Sequence, residues 1–310
     1  MQLLRGFYNI PATLIQSVVT IGTFDGVHLG HQALFQRLKQ LSHYYQVPSI
    51  VVTFEPTPVE YFLHEKANAR LTRLREKIHA IEEIGIDYLV CLRFDKKLAQ
   101  QSAEAFVKNI VICLHPCAIV VGDDFRFGAK RQGDFYFLER YCKPQSIHVE
   151  QITQYQQDHE RVSSSRVRRA LQEGNLEEAQ QLLGRPYIMQ GRVVHGDKRG
   201  RELGFPTANI YLHRKVSPLR GIFAVRVQGL ERVYKGVAYV GSRPAVGGEK
   251  VILEVFIFDF NQTLYGKALT VEFLHQLRED KHFDNLEDLK AQMASDVESA
   301  RDYFKRIETH

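Results

Sequence analysis

The chain holds 310 residues, more than one domain usually contains, and its 44% hydrophobic content suffices for two cores. Lys and Arg total 41 against 36 Asp and Glu, a formal charge of +5 that argues against a nucleic-acid duplex and fits phosphorylated small molecules as partners. Four cysteines are too few for a disulfide framework at this length and point to a reducing, cytoplasmic setting.

In chain order, the amino terminus has no apolar signal region, and the apolar stretch from Ile110 to Val121 is interrupted by His115 and Pro116, so no membrane association is expected. Val18, Val19 and Ile21 predict a first strand, and Leu34, Leu38 and Leu41 recur at helical spacing behind it. Between them lies GTFDGVHLGH, Gly22 to His31. Amides and the positive helix end in such a strand-to-helix turn attract phosphate. His28 and His31 are three residues apart and share one helix face, and Gly30 between them admits a ligand close to the backbone. The remaining alternative is a surface turn with two solvated histidines.

Further strands are expected at Ile50–Phe54, Tyr88–Leu92 and Ala118–Val121, with helices between them such as Ser102–Ile112, capped by Ser102. This is an α/β pattern, a doubly wound parallel sheet whose ligands bind beyond the carboxyl ends of the strands. Cys113, His115 and Cys117 lack a second ligand pair, and burial rather than zinc is expected for them. VGDDFRFG, Val121 to Gly128, follows the fourth strand. Its acids suit ribose hydroxyls or magnesium and its phenylalanines a stacking face, unless they simply fill the core. In RVSSSRVRRAL the serines cap a helix, and the cations one turn later favour a second phosphate grip. Gly184 and Pro186 close a short helix and mark a boundary, so the expected domains are residues 1–183 and 184–310.

Beyond the boundary the period changes to strands, at Ile222–Val227, Val233–Val240 and Val251–Phe258, without intervening helices. That predicts an antiparallel β-barrel or sandwich, followed by a terminal helix through Leu286, Leu289, Met293 and Val297. GDKRGRELGFPTANI, Gly196 to Ile210, is a glycine-rich basic loop leading into an extended stretch. There Thr207 and Asn209 alternate onto one face and can share a magnesium ion with ATP phosphates. Glu254 stands inside an otherwise apolar strand. Either the strand opens onto a ligand there, making this carboxylate a candidate general base, or it is an outward, edge-facing glutamate.

GTFDGVHLGH, VGDDFRFGAKRQGD and RVSSSRVRRAL, in that order, resemble the adenylyltransferase module of bacterial bifunctional riboflavin kinase/FAD synthetases. PTAN after the basic loop, with GIFAV, GVAYVGSRPAV, LEVFIFDF, LYG and LREDKHF, resembles the riboflavin kinase module, so the likeness covers nearly the whole chain. The resemblance implies a nucleotidyltransferase fold followed by a kinase barrel. It implies phosphorylation of riboflavin to FMN and adenylylation of FMN to FAD, with ATP as co-substrate and Mg2+ at both sites. By motif, His28 and His31 act on the triphosphate, and Gly22, Phe24, Asp25, Gly30, Asp124, Ser164 and Arg168 bind its ATP. Phe62, Phe125 and Phe127 contact that site's flavin. In the kinase, Glu254 is the catalytic base. Gly196, Lys198, Gly200, Arg201, Gly204, Pro206, Thr207 and Asn209 bind ATP, Thr207 and Asn209 hold the metal, and Arg278 and Phe283 cover the flavin. The chain departs from the family pattern at Thr57, Asp124, Ser165, Tyr239, Ala245 and Thr263; at Tyr239 the usual residue is asparagine.

Two other readings compete. An aminoacyl-tRNA-synthetase-like enzyme shares the HLGH type of signature, but no KMSKS-like loop is visible. A flavin-sensing or storage module would bind without turnover and gives no reason for both PTAN and HLGH.

Overall fold

The computed structural model describes residues 1–153, 155–158, 160–196, 203–214, 216–245 and 248–309. The expected ATP-binding residues Lys198, Gly200 and Arg201 lie outside the described residues. The chain forms two compact units, Met1–Asn68 with Thr72–Ser163, and Ala69–Leu71 with Ser164–His310.

The first unit contains strands β1 (Gln2–Arg5), β2 (Ser17–Ile21), β3 (Ser49–Glu55), β4 (Tyr88–Arg93), β5 (Pro116–Gly122) and β6 (His148–Ile152). They pair in parallel in the order β1-β4-β3-β2-β5-β6. The helices are α1 (Leu29–Tyr45), α2 (Pro58–Leu63), α3 (Leu74–Ile84), α4 (Lys96–Ala99), α5 (Ala103–Leu114) and α6 (Phe135–Cys142). Successive β2 residues point to opposite faces. Val18 packs with Phe35, Leu38 and Ile81, whereas Val19 and Ile21 pack with Phe106, Ile110 and Leu114. Both faces are covered, which is why the central strands read as continuous β-branched runs.

The four expected strands are present, and Ser102 caps α5 through Ala105 N at 3.2 Å. Patterning did not reveal the two edge strands. Only Leu4 is buried in β1, and β6 has no fully buried residue, because an edge strand makes fewer apolar contacts. The chain passes from β2 to β3 on one side and returns to β5 on the other, so the sheet has its switch point between β2 and β5. The loops following those two strands flank a crevice of the kind that binds ligands in open α/β sheets. A two-residue ladder, β7 (Gln156–Gln157) with β8 (Glu160–Arg161), completes the unit.

The second unit begins with α7 (Ser164–Gln172) and α8 (Leu176–Leu183). A closed antiparallel barrel follows, with β9 (Tyr187–Val194), β10 (Thr207–Tyr211), β11 (Gly221–Gln228), β12 (Tyr234–Ala245), β13 (Gly248–Ile257) and β14 (Ala268–Arg278) in the order β10-β13-β12-β11-β14-β9. Phe223, Leu253, Val255 and Phe273 are buried within it, with the Phe223 and Phe273 rings 5.4 Å apart. The compact units divide between Ser163 and Ser164, earlier than the 183/184 boundary expected from punctuation. The physical reason is that Leu176, Ala179, Leu182 and Leu183 bury one face of α8, which packs on β9 and β14.

The terminal helix, Leu286–Glu308, starts at Asn285, whose side chain accepts from Asp288 N at 2.8 Å. Its buried residues are Asp296, Ala300 and Phe304, four apart, and Val297 packs alongside them. Leu286 lies before this stripe and is 65% exposed, so the expected packing stripe starts too early.

Candidate active sites

At the mouth of the parallel sheet, β2 ends at Ile21 and α1 begins at Leu29. His28 is the N-cap, makes no side-chain capping bond, and no acidic residue occupies the first turn of α1, so the positive end of a seventeen-residue helix is left for an anion. His28 and His31 stack with centroids 3.6 Å apart and planes inclined by 20°, and the edge of Phe24 supports His31 at 5.3 Å. A Cβ on Gly30 would lie 3.2 Å from the His28 ring, and one on Gly22 2.7 Å from the Phe24 ring. At Gly22 any side chain would displace the Phe24 ring, and at Gly30 the His28 ring would have to give by a few tenths of an ångström.

The turn is held in an unusual conformation, with Phe24, Gly26 and Val27 at φ 48°, 86° and 47°. A β-branched residue in this left-handed region is strained, so its neighbours must hold it. Val27 is fully buried, and its carbonyl accepts from Gln32 Nε2 at 2.9 Å. Gly26 N donates to Thr72 Oγ1 at 2.9 Å, and Thr72 N to Asp25 Oδ1 at 2.9 Å. Beneath the turn the buried Lys77 donates to Thr23 O and to Thr53 Oγ1. Phe24 and Asp25 thus build and brace the turn.

After β5, Asp124 projects into solvent and pairs with Arg161 at 2.7 Å, while Asp123 meets the same guanidinium at 3.3 Å. Phe127 is only 7% exposed and packs against Phe106, Phe125 and Phe137, so it supports the loop and offers no open face to a flavin. Phe125 stacks on it at 5.1 Å and is partly buried. Phe62, in α2 after β3, is exposed beside Tyr61 and Phe94. Ser164 and Arg168 belong to α7 of the second unit, where Arg168 Nε donates to Ala69 O at 2.6 Å.

On the barrel, β13 lies between β10 and β12, and Glu254 is the register partner of Asn209 on one side and Tyr239 on the other. Paired residues share a face, so the three side chains form a row. It is the outer face, because Tyr239 and Phe256 pack with the cluster that buries Phe304 of the terminal helix, while Val255 and Val240 turn inward. Glu254 is therefore an outward residue of a central strand, half-buried, and not at an edge. Thr207 is two residues from Asn209 on the same face, with Oγ1 3.5 Å from Glu254 Oε2.

Gly196 is required at its place because a Cβ there would lie 2.4 Å from the Asn209 side chain. Gly204 has φ +91° and open space around it, and Phe205 before Pro206 meets Phe256 edge-on at 5.6 Å. Arg278 is held from the terminal helix. Its guanidinium forms a two-pronged bond to Asp296 of the terminal helix at 2.7 and 2.8 Å, and Phe283 lies 5.8 Å from it. Tyr239, Asp280, Arg220, Asp296, Thr72 and Lys77 carry the fine structure of the two centres, and none of them was singled out by sequence as a site residue. Tyr239 was legible only as a departure from the family pattern, and the others are brought in by contacts between residues distant in sequence. No group of three or more His, Cys, Asp or Glu suited to a metal occurs among the described residues.

A family model for FAD synthetase matches residues 10–166, and one for riboflavin kinase matches residues 183–304. A bifunctional riboflavin kinase/FMN adenylyltransferase of Haemophilus influenzae is 43% identical over 306 residues, covering 98% of this chain and 99% of that protein. This chain belongs to the bifunctional riboflavin kinase/FMN adenylyltransferase family. The Escherichia coli K12 member of the riboflavin kinase/FMN adenylyltransferase family is 44% identical over 307 residues, 98% of each chain. A crystal structure of a protein described as a macrolide-efflux protein, from Streptococcus pneumoniae, matches with a TM-score of 0.83 and 31% identity over 96% of this chain and 98% of that one. Among the described residues no helix is long and apolar enough to cross a membrane. Membership of the riboflavin kinase/FMN adenylyltransferase family sets aside the aminoacyl-tRNA-synthetase alternative, since both halves match and neither match is to an aminoacyl-tRNA synthetase.

Proposed function

We infer that the chain makes flavin cofactors in two ATP-dependent steps, phosphorylating riboflavin to FMN and transferring AMP from ATP to FMN to give FAD and pyrophosphate. These are the activities of its family, and riboflavin, FMN, ATP and FAD are the corresponding substrates and products. Residues 1–183 are the proposed adenylyltransferase domain and residues 184–310 the proposed kinase domain. Two observations carry the reading: a stacked histidine pair at a helix start on the sheet, and separately a row of oxygen-bearing side chains across three strands of the barrel.

In the first centre a phosphate oxygen of FMN attacks the α-phosphorus of ATP, and the bond to the bridging oxygen of the β-phosphate breaks. No protein nucleophile is needed. His28 and His31 stabilise the charge that moves onto pyrophosphate, and the start of α1 seats the phosphates with Gly22 and Gly30 admitting them. Asp124, balanced by Arg161, suits ribose hydroxyls, and Phe62 and Phe125 are the aromatic surfaces left for the flavin.

In the second centre Glu254 takes the proton of the terminal ribityl hydroxyl as its oxygen attacks the γ-phosphorus in line and ADP departs. Thr207 Oγ1, the Asn209 amide oxygen and the Glu254 carboxylate are oxygen donors, the kind that Mg2+ takes together with substrate phosphates. When bound, Mg2+ supplies positive charge to those phosphates. Gly196, Gly204 and Pro206 shape the approach to Thr207 and Asn209. A cytoplasmic location belongs to the same reading, supported by four free cysteines.

Incubating the full chain with riboflavin, ATP and magnesium, and separating flavins by chromatography, should yield FMN and then FAD. Supplying FMN in place of riboflavin should yield FAD and pyrophosphate in equal amounts. Bound flavin with ATP left intact would overturn the enzymatic reading in favour of a sensing or storage module.

A further inference from the structure

Glu254 of the proposed kinase centre has two flanks along the barrel. Asn209 and Thr207 lie on its β10 side, where they face phosphate and metal. On its β12 side stands Tyr239, at a position where family members usually carry asparagine. The ribityl hydroxyl must meet the γ-phosphorus and hydrogen-bond to Glu254 at the same time, so with phosphates on the β10 flank the rest of the acceptor extends over the β12 flank. Neighbouring strands are about 4.8 Å apart. Tyr239 is thus one strand away from the base.

Its ring lies back along β12 over Gly241, where a Cβ would sit 2.1 Å from the hydroxyl. Only glycine leaves that path open. The Tyr239 hydroxyl donates to Asp280 Oδ2 at 3.2 Å, and Arg220 Nη2 and Nε reach the same oxygen at 3.2 and 3.3 Å. Asp280 lies just after β14 in a segment that continues to Phe283 and is anchored at its start by Arg278 on Asp296. Burial and the nearby Asp280 carboxylate push the Tyr239 phenol up to about 12, so it stays a neutral donor across the physiological range.

We propose that Tyr239 is a positioning residue for riboflavin: by tying Asp280 to β12 beside Glu254 it holds the segment after β14 as the wall against which the flavin lies. This rests on the assignment of the kinase centre to Glu254, Thr207 and Asn209. A hydrogen bond to a charged group contributes more than one between neutral groups, and its loss should loosen the wall without touching the phosphate flank.

The test is steady-state kinetics of FMN formation by the full chain. Tyr239→Phe should raise the riboflavin KM about tenfold, leaving kcat and the ATP KM within about twofold. Asp280→Asn, on a side chain that is 24% exposed and tolerant of the change, should do the same, and the double variant should be no worse than either single. Circular dichroism melts confirm that each variant is folded. An unchanged riboflavin KM in both variants overturns the proposal, as does an equal rise in both KM values or a defect confined to Tyr239→Phe. Should Glu254→Gln retain full FMN formation in the same assay, the kinase-centre assignment itself fails, a result separate from any of these.

Discussion

Asn209 and Glu254 are register partners across β10 and β13, and Thr207 Oγ1 comes within 3.5 Å of the same carboxylate. An acid and two neutral oxygen donors are thus gathered on one outward face of the closed barrel. Their joint position makes Glu254 the group most sensitive to isosteric change. Glu254→Gln should lower FMN formation by ~10²–10⁴, while FAD formation from added FMN stays at the parent rate. Separate assays of the two steps on one preparation check both halves of this statement.

The histidine pair gives the complementary case. His28→Ala and His31→Ala each remove a donor from a stacked pair at a helix start. Each should cost adenylyl transfer ~10²–10³ and leave riboflavin phosphorylation intact. A variant that lost both steps equally while remaining folded would contradict the separation of the two centres.

Gly196→Ala tests the loop that precedes β10. A Cβ at 2.4 Å from the Asn209 side chain forces that amide to move, and the Asn209 backbone is held in the barrel on both sides. The ATP KM of the kinase should rise about tenfold with the riboflavin KM little altered. Measuring both constants distinguishes this from general unfolding.

Asp296 joins the terminal helix to β14 through the two-pronged bond to Arg278 and a further bond from Gln292 at 3.0 Å. The Arg278 and Asp296 side chains are 21% and 7% exposed, so Asp296→Ala leaves a cation largely removed from water. The barrel unit should lose about 3 kcal/mol, seen as a lowered Tm, and Asp296→Asn should lose less.

In the first unit Arg37 of α1 grips Glu150 of β6 at 2.7 and 2.8 Å and, with the help of His148, holds its carboxyl below the ordinary value. A carboxylate depressed in the folded state contributes stability above its unfolded pKa, and that contribution disappears as the pH falls through the folded value. Both side chains are partly exposed, so the effect is modest. Arg37→Gln should therefore lower Tm at pH 7, and the difference should shrink as the pH falls below the ordinary carboxylate range, which melts at successive pH values will reveal.

Much of this was legible before any coordinates. The buried central strands announced themselves as β-branched runs because parallel strands covered on both faces admit little else. His28 and His31 stood out by their spacing in a strand-to-helix turn, Thr207 and Asn209 by their alternation after a glycine-rich basic loop, and Glu254 as a charge inside an otherwise apolar strand. Pattern alone left Phe127 between a flavin contact and the core, since an aromatic beside a motif looks the same in either role. Tertiary packing on Phe106 and Phe137 is what separates the cases.

The chain by itself therefore determined the buried strands, the helices between them and where the glycine-rich turns lie, because such information is written within a few residues by period, capping and turn geometry. The tertiary structure decided that Asn209, Glu254 and Tyr239 form one row, that Asp280 and Arg220 close on it, and that α7 and α8 join the barrel unit. Those relations depend on strand register and on contacts between residues distant in sequence. Many pairings satisfy the same local pattern, and only the closed barrel and the packed helices select one.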